Sequence, residues 1–239
     1  MTYIDRFRDW LQPQGSEHGH SADSVFVVGL GRFGSSLAET LVGLGVDVLA
    51  IDADAGRVND FAEILPTVRQ ADGSNQNALR QLGIEQFDAA VVAIGSGIEA
   101  SILTTAALVD VGVPNVWAKA ITSEHGRILE RVGAHHVVFP EKQMGERVAH
   151  AVTGAVVDYF ALDDDFVIAE LEAPASLVGL SLAEASLRQK HGVTVVSVKP
   201  AGKRFIHATA ETKINKRDLL VVAGPTKEVD QFTTGGSTA

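Results

Sequence analysis

The sequence predicts an α/β chain, with a doubly wound parallel sheet first and a small α+β domain after it. Three observations carry this. From Ser24 to about Glu141 short β-branched runs alternate with helical stretches, the pattern of parallel βαβ units. Beyond Phe160 the alternation gives way to closely spaced strands with few helices. The length, 239 residues, exceeds the ~100–200 residues of an ordinary domain and leaves room for one large unit and one small.

Taken in order, residues 1–23 read as an appended arm, in which Tyr3, Ile4, Phe7, Trp10 and Leu11 gather on one side of a short helix that Pro13 ends. Strands are expected at Val25–Val28, Asp47–Ile51, Thr67–Gln70, Ala89–Ala93, Val116–Lys119 and His136–Phe139. Between them lie helices at Phe33–Leu44, Ala55–Ile64, Gln76–Leu82, Ile98–Val111 and Glu124–Val132. Gly45, Gly83, Gly112 and Gly133 stand just past four of these ends, where a left-handed residue stops a helix. One further helix is expected over Lys142–Phe160. The tail then holds strands near Phe166–Leu171, Val193–Lys199, Lys203–Ile206 and Leu219–Ala223, with a helix around Leu182–Gln189 and a turn at Pro200–Gly202. These readings divide the chain into an arm (1–23), a parallel-sheet domain (24–142), a connecting helix (143–162), a small domain (163–232) and a tail (233–239).

Composition removes several function classes. Zero cysteines exclude disulfides, thiolate nucleophiles and cysteine-ligated metals. A net charge of −10 argues against nucleic acid as a partner, because phosphate backbones are bound mainly by Lys and Arg. The longest apolar stretches, Asp88–Ile94 and Thr104–Val113, fall well short of the ~18 residues a membrane helix needs. The N-terminus, with mixed charges and no apolar run before a cleavage site, does not read as a secretory signal. The expectation is a cytoplasmic protein whose membrane role, if any, is peripheral.

The sharpest motif is Gly29-Leu30-Gly31-Arg32-Phe33-Gly34, which follows an apolar strand and opens a helix. Gly29 permits the tight turn, Gly31 lets a phosphate approach backbone amides, and Gly34 allows helix and strand to pack closely. A helix N-terminus there supplies N–H groups and a positive dipole end. Asp52 ends the second strand 18 residues beyond Gly34, where an acid takes ribose hydroxyls; capping the next helix is its other reading. Asp72 follows the third strand, placed to accept from an adenine amino group or to cap the helix that starts near Asn75. Arg32 brings a guanidinium to the phosphate end, which suits a triphosphate better than a less charged ligand.

With these motifs stand Ile51-Asp52, Ala93-Ile94-Gly95, Asn115-Val116-Trp117-Ala118-Lys119-Ala120 and Phe139-Pro140-Glu141-Lys142-Gln143-Met144-Gly145. Together, from Val25 to Ala223, the chain resembles the KtrA-like regulatory subunits of Ktr/Trk potassium-uptake systems, proteins built on a domain that regulates potassium conductance (RCK). The resemblance implies a Rossmann-type RCK N-domain and an α+β RCK C-domain, no enzymatic activity, and a homo-octameric ring beneath an integral, KtrB-like potassium-translocating partner. It implies ATP and ADP as ligands, ATP favouring the conductive state and ADP the closed one. Gly29, Gly31 and Gly34 would then cradle phosphate, with Phe33 in the same loop, Asp52 hold ribose, Asp72 lie near adenine and Lys119 face the nucleotide. Arg32 would reach the γ-phosphate across a subunit interface. Glu141 matches an acid that helps bind a cation, Mg, Ca or Na, where two nucleotide sites face each other; its other reading is an acid at a helix start. Some family members bind cyclic di-AMP in the C-terminal domain, and Leu177–Val195 occupies that region here without a motif that assigns residues.

Two other classes compete. An NAD(H)-dependent oxidoreductase shares the glycine fingerprint, but His18, His20, His135, His136 and His150 have no acid–base partner close in sequence. The other is a soluble binding protein or transcription factor, a Rossmann-type ligand sensor of another kind, against which the absence of a helix-turn-helix module and the acidic charge count.

Overall fold

A computed structural model describes residues 22–152, 156–163 and 165–234. The expected arm helix at 1–12, His18 and His20 lie outside them. The chain divides into two units between Glu141 and Lys142.

The first unit is a six-stranded, all-parallel sheet with strand order β3-β2-β1-β4-β5-β6. Its strands are β1 (Ser24–Val28), β2 (Asp47–Asp52), β3 (Thr67–Gln70), β4 (Ala89–Val92), β5 (Val116–Lys119) and β6 (His136–Val138). Helices α1 (Arg32–Gly43), α2 (Ala55–Phe61), α3 (Gln76–Gln81), α4 (Ile98–Val111) and α5 (Ser123–Arg131) connect them. The strands are short runs of Val, Ile and Ala because both faces are covered, so no polar alternation is needed. One face packs Phe26, Ile51, Val92 and Val116 against Leu79, Ile84, Leu108 and Leu129. The other packs Val27, Val48 and Ala50 against Leu30, Ala38 and Leu65. The four glycines expected past helix ends all have positive φ. Helix starts are capped by side chains of Asp54, Asn75 and Thr122 for α2, α3 and α5. Strand order reverses between β1 and β4, and ligands of such sheets bind in the crevice at that reversal, outside the carboxyl ends of the strands.

The second unit contains α6 (Pro140–Val152) from Lys142 onward, then β7 (Asp158–Ala161), β8 (Phe166–Glu172), α7 (Leu182–Ala185), α8 (Leu187–His191), β9 (Thr194–Lys199), β10 (Ile206–His207), β11 (Leu219–Pro225) and α9 (Thr226–Thr233). Its five-stranded sheet runs β10-β9-β11-β8-β7, antiparallel throughout. Val167, Leu171, Val198, Leu220 and Val222 form its core with Leu187, Val229 and Phe232 from the helices.

Three expectations need correction. The helix over Lys142–Phe160 ends at Val152, and Asp158–Ala161 is a strand paired with β8 from Asp158↔Glu170 to Ala161↔Val167. Val156 and Tyr159 bury their side chains in the second core while Phe160 stays 60% exposed; the aromatic and β-branched run completes a sheet edge better than another helical turn. Arg147 on α6 holds Asp158 on β7 through two bonds, each 2.5 Å. The helix over Leu182–Gln189 is two helices, because Ser186 sits in the left-handed region at φ 48° between them. The strand expected at Lys203–Ile206 is confined to Ile206–His207. Helix α9 was not among the expectations; Val229 and Phe232, three residues apart, are its buried side.

Candidate functional site

At the strand-order reversal a cleft of about 820 Å³ opens along the carboxyl ends of β1, β2, β4 and β5, within the ~300–1,000 Å³ of ordinary small-molecule sites. It gathers Gly29, Gly31, Arg32, Phe33, Asp52, Asp72, Lys119 and Glu141 from positions up to 112 residues apart. Gly34 is the one predicted site residue that does not line it. Its role is beneath: a Cβ there would stand 1.8 Å from the carbonyl oxygen of Gly29, so any side chain would force α1 off the loop. Gly29 takes φ +99°, which turns the chain from β1 into the loop.

Gly31 is the N-cap of α1 and offers no side-chain acceptor to the helix. The first-turn N–H groups therefore meet the cleft without a protein cap, the arrangement that receives phosphate at a helix N-terminus.

Asp52 ends β2 at 6% exposure. Its Oδ2 accepts from the Leu30 N–H at 2.7 Å and from Arg57 Nη1 at 3.3 Å, and its Oδ1 accepts from the Asp54 N–H at 2.9 Å. Asp54, not Asp52, caps α2, which removes the capping reading. A carboxylate has about four acceptor positions; three are used, one of them to brace the glycine loop at Leu30 and two at Asp54 and Arg57, and one remains open to the cleft. Asp72 likewise does not cap α3, because Asn75 does. Its Oδ1 accepts from the Ser74 hydroxyl at 2.7 Å and the Ser74 N–H at 2.9 Å. The hydroxyl bond, then the amide bond, hold its carboxyl below the ordinary range and so keep it an acceptor.

Lys119, the last residue of β5, is 6% exposed and lines the cleft. Its Nζ bonds Glu141 Oε1 at 2.5 Å and lies 5.6 Å from the Phe33 ring centroid. Glu141 stands in the first turn of α6, as its structural reading required, with its side chain 64% exposed. The Lys119 hydrogen bond is the main cause of a lowered Glu141 carboxyl, and the charge of Arg32 adds to it. Among the described residues no group of three or more potential ligands could hold a metal ion, so Glu141 alone does not make a cation site within one chain.

Sequence reading missed Arg57, whose pairing with Asp52 is a tertiary contact, and Gly73, where a Cβ would stand 2.7 Å from Val28 Cγ1 and 3.0 Å from Thr104 Cγ2. It also missed the Lys119–Glu141 pair, formed across 22 residues. None of the described histidines lines the cleft. His135 Nδ1 accepts from the Val116 N–H at 2.9 Å, His136 stacks on Trp117 at 4.0 Å, and His150 stacks on Tyr159 at 3.8 Å. No helix among the described residues is long and apolar enough to cross a membrane.

Comparison with known proteins agrees with this architecture. Residues 25–140 match the TrkA-N domain and residues 166–234 the TrkA-C domain. The chain is 36% identical over 207 residues to Ktr system potassium uptake protein C of Bacillus subtilis (strain 168), covering 86% of this chain and 94% of that protein. It is 36% identical over 211 residues to Ktr system potassium uptake protein A of the same organism, with 88% and 95% covered, and 31% identical over 200 residues to Ktr system potassium uptake protein A of Vibrio alginolyticus, with 83% and 91% covered. In fold, the crystal structure of the TrkA-N domain of inner membrane protein ybaL from Escherichia coli matches 55% of this chain and 98% of its own, at TM-score 0.50 and 20% identity. With a TrkA-N domain, a TrkA-C domain and this identity over most of its length, the chain belongs to the family of Ktr/Trk potassium uptake regulatory proteins.

Proposed function

We propose that this chain is a cytoplasmic regulatory subunit of a potassium uptake system, which binds ATP or ADP in the cleft and controls ion flux through an integral, KtrB-like membrane partner rather than catalysing a reaction. The observation that carries the reading is the composition of the cleft: an uncapped helix N-terminus, Arg32 and a buried Lys119 at one end, with the acceptors Asp52 and Asp72 along the other loops. Phosphates suit the first group and ribose and an adenine amino group suit the second. A helix N-terminus with two cations beside it favours a highly charged polyphosphate over a neutral ligand.

In this reading the nucleotide acts through its unequal affinity for two assembly states, since a ligand binding both equally shifts nothing. The chain assembles as a homo-octameric ring peripheral to the inner face of the membrane. Arg32 reaches the γ-phosphate of a neighbouring subunit, and Glu141 residues from paired subunits complete a cation site for Mg, Ca or Na. Cyclic di-AMP is the candidate second ligand for the C-terminal unit, near the cavity lined by Leu182, Arg188 and Thr209.

Titration calorimetry with ATP, ADP, NADH and cyclic di-AMP, with and without Mg²⁺ or Ca²⁺, tests the reading. Tight ATP and ADP binding with different cation dependence supports it. Tight binding of NADH alone would replace it with the redox reading.

A further inference from the structure

Charge is unevenly distributed along this acidic chain. Between Arg188 and Arg217 the sequence holds eight Lys and Arg and one acid, Glu211, a net +7 against −10 for the whole. The centre of this segment is the β9–β10 hairpin at the edge of the five-stranded sheet. Every residue from Ala201 to His207 is exposed. With the charge comes apolar surface: Val196 is 51%, Phe205 45% and Ile206 46% exposed, and Lys199 Nζ lies 5.1 Å from the Phe205 ring centroid.

The hairpin is held firmly. Lys203 N–H donates to Pro200 O at 2.9 Å across the turn, the Ser197 hydroxyl donates to Ile206 O at 2.8 Å, and Ala201 N–H donates to the buried Asp218 carboxylate at 3.2 Å. Lysines on a short edge strand guard against strand addition, but the edge strand β10, Ile206–His207, carries none. Edge protection therefore leaves the charge of Lys199, Lys203 and Arg204 unexplained, together with the exposed Val196, Phe205 and Ile206.

We propose that the β9–β10 hairpin docks on an anionic phospholipid surface. Lys199, Lys203 and Arg204 match headgroup phosphates, and Phe205, beside Lys199, enters the boundary between headgroups and acyl chains, the division of labour of interfacial membrane segments; Ile206, paired with Val198, belongs to the other face of the hairpin. Single-stranded nucleic acid also pairs with basic and aromatic groups, but it needs ring faces on which successive bases stack; two of the three exposed apolar residues are aliphatic. The surface shares no residue with the cleft, whose lining residues all belong to the other unit.

The test is co-sedimentation of the full chain with vesicles of phosphatidylglycerol and phosphatidylcholine, or of phosphatidylcholine alone, at low and high salt, with a single-stranded oligonucleotide as competitor. The expected result is binding to the anionic vesicles only, weakened by salt. At about fivefold per basic side chain near such a surface, Lys203→Gln/Arg204→Gln weakens binding about 30-fold. Phe205→Ser weakens what binding survives at high salt, and all three positions are exposed, so melting temperatures stay unchanged. Absence of wild-type binding, equal binding by the variants, or displacement of the vesicles by the oligonucleotide would each overturn the proposal.

Discussion

Replacing Gly31 with Ala separates the role of the glycine loop in folding from its role in binding. The backbone at Gly31 has φ −69° and ψ −178°, a conformation open to any residue, and a Cβ built there meets nothing within 4 Å. Alanine restricts the unfolded chain, a gain of about 0.4–1 kcal/mol, and is a poorer N-cap than glycine by a similar amount. The two nearly cancel, so the melting temperature moves by less than about 5 °C. In the proposed binding mode, however, the methyl group adds bulk to a cleft-lining residue beside the first-turn amides that a phosphate would approach. Losing one or two charge-assisted hydrogen bonds removes about 3 kcal/mol, which is about 100-fold in ATP affinity. Calorimetric titration paired with a melting curve reads both quantities on one sample. Gly34→Ala serves as the contrast, since its Cβ would collide with the Gly29 carbonyl at 1.8 Å and disturb the ligand-free fold. Unchanged ATP affinity in Gly31→Ala would refute the reasoning, because phosphate would then not lie against this loop.

Three further outcomes follow. Arg32→Ala should narrow the difference between ATP and ADP affinity more than it weakens ADP, read by the same titration; equal losses for both ligands would remove Arg32 from γ-phosphate recognition. The Glu141 carboxyl is held below its ordinary 4.5 by Lys119, so the pair contributes stability that is present above that value and is lost as pH falls through the lowered one. Glu141→Gln should therefore melt lower than wild type at neutral pH, with the gap closing as the solution is acidified; a constant gap would mean that the ion pair is not its source. Asp218 is 2% exposed and accepts from the N–H groups of Ala201 and Asn215 and from the Asn215 side chain. Asp218→Ala strands these donors and should destabilise the chain by about 2–4 kcal/mol in denaturant unfolding.

The parallel-sheet unit was legible because its signals are local. Each buried strand is a compact β-branched run, four of the five helix stops carry a glycine, and Gly29 to Gly34 state the loop's geometry in their spacing. Asp52 could be placed from its distance to that loop. What it does there could not, because its three partners come from Leu30, Asp54 and Arg57, and only the folded chain brings them together. The second unit was less legible. From Val156 to Phe160 the run suits either a continued helix or an edge strand, and the decision rests on the free edge of β8, a tertiary fact. Gly154, two residues past Val152, was the available signal for a stop. Ser186 carries no such mark: serine in a left-handed conformation is uncommon, and it breaks a stretch whose composition favours one helix.

The contact between Lys119 and Glu141 joins two things that sequence keeps far apart. Lys119 faces the cleft, while Glu141 stands in the first turn of the helix through which the chain leaves one unit for the next. A polyanion entering the cleft and the start of α6 thus compete for a single ammonium group. By thermodynamic reciprocity, whatever draws Glu141 from Lys119 raises the affinity of the cleft for anions, and an anion that claims Lys119 loosens the helix start by the same free energy. One shared charge thus links what fills the cleft to the first turn of α6.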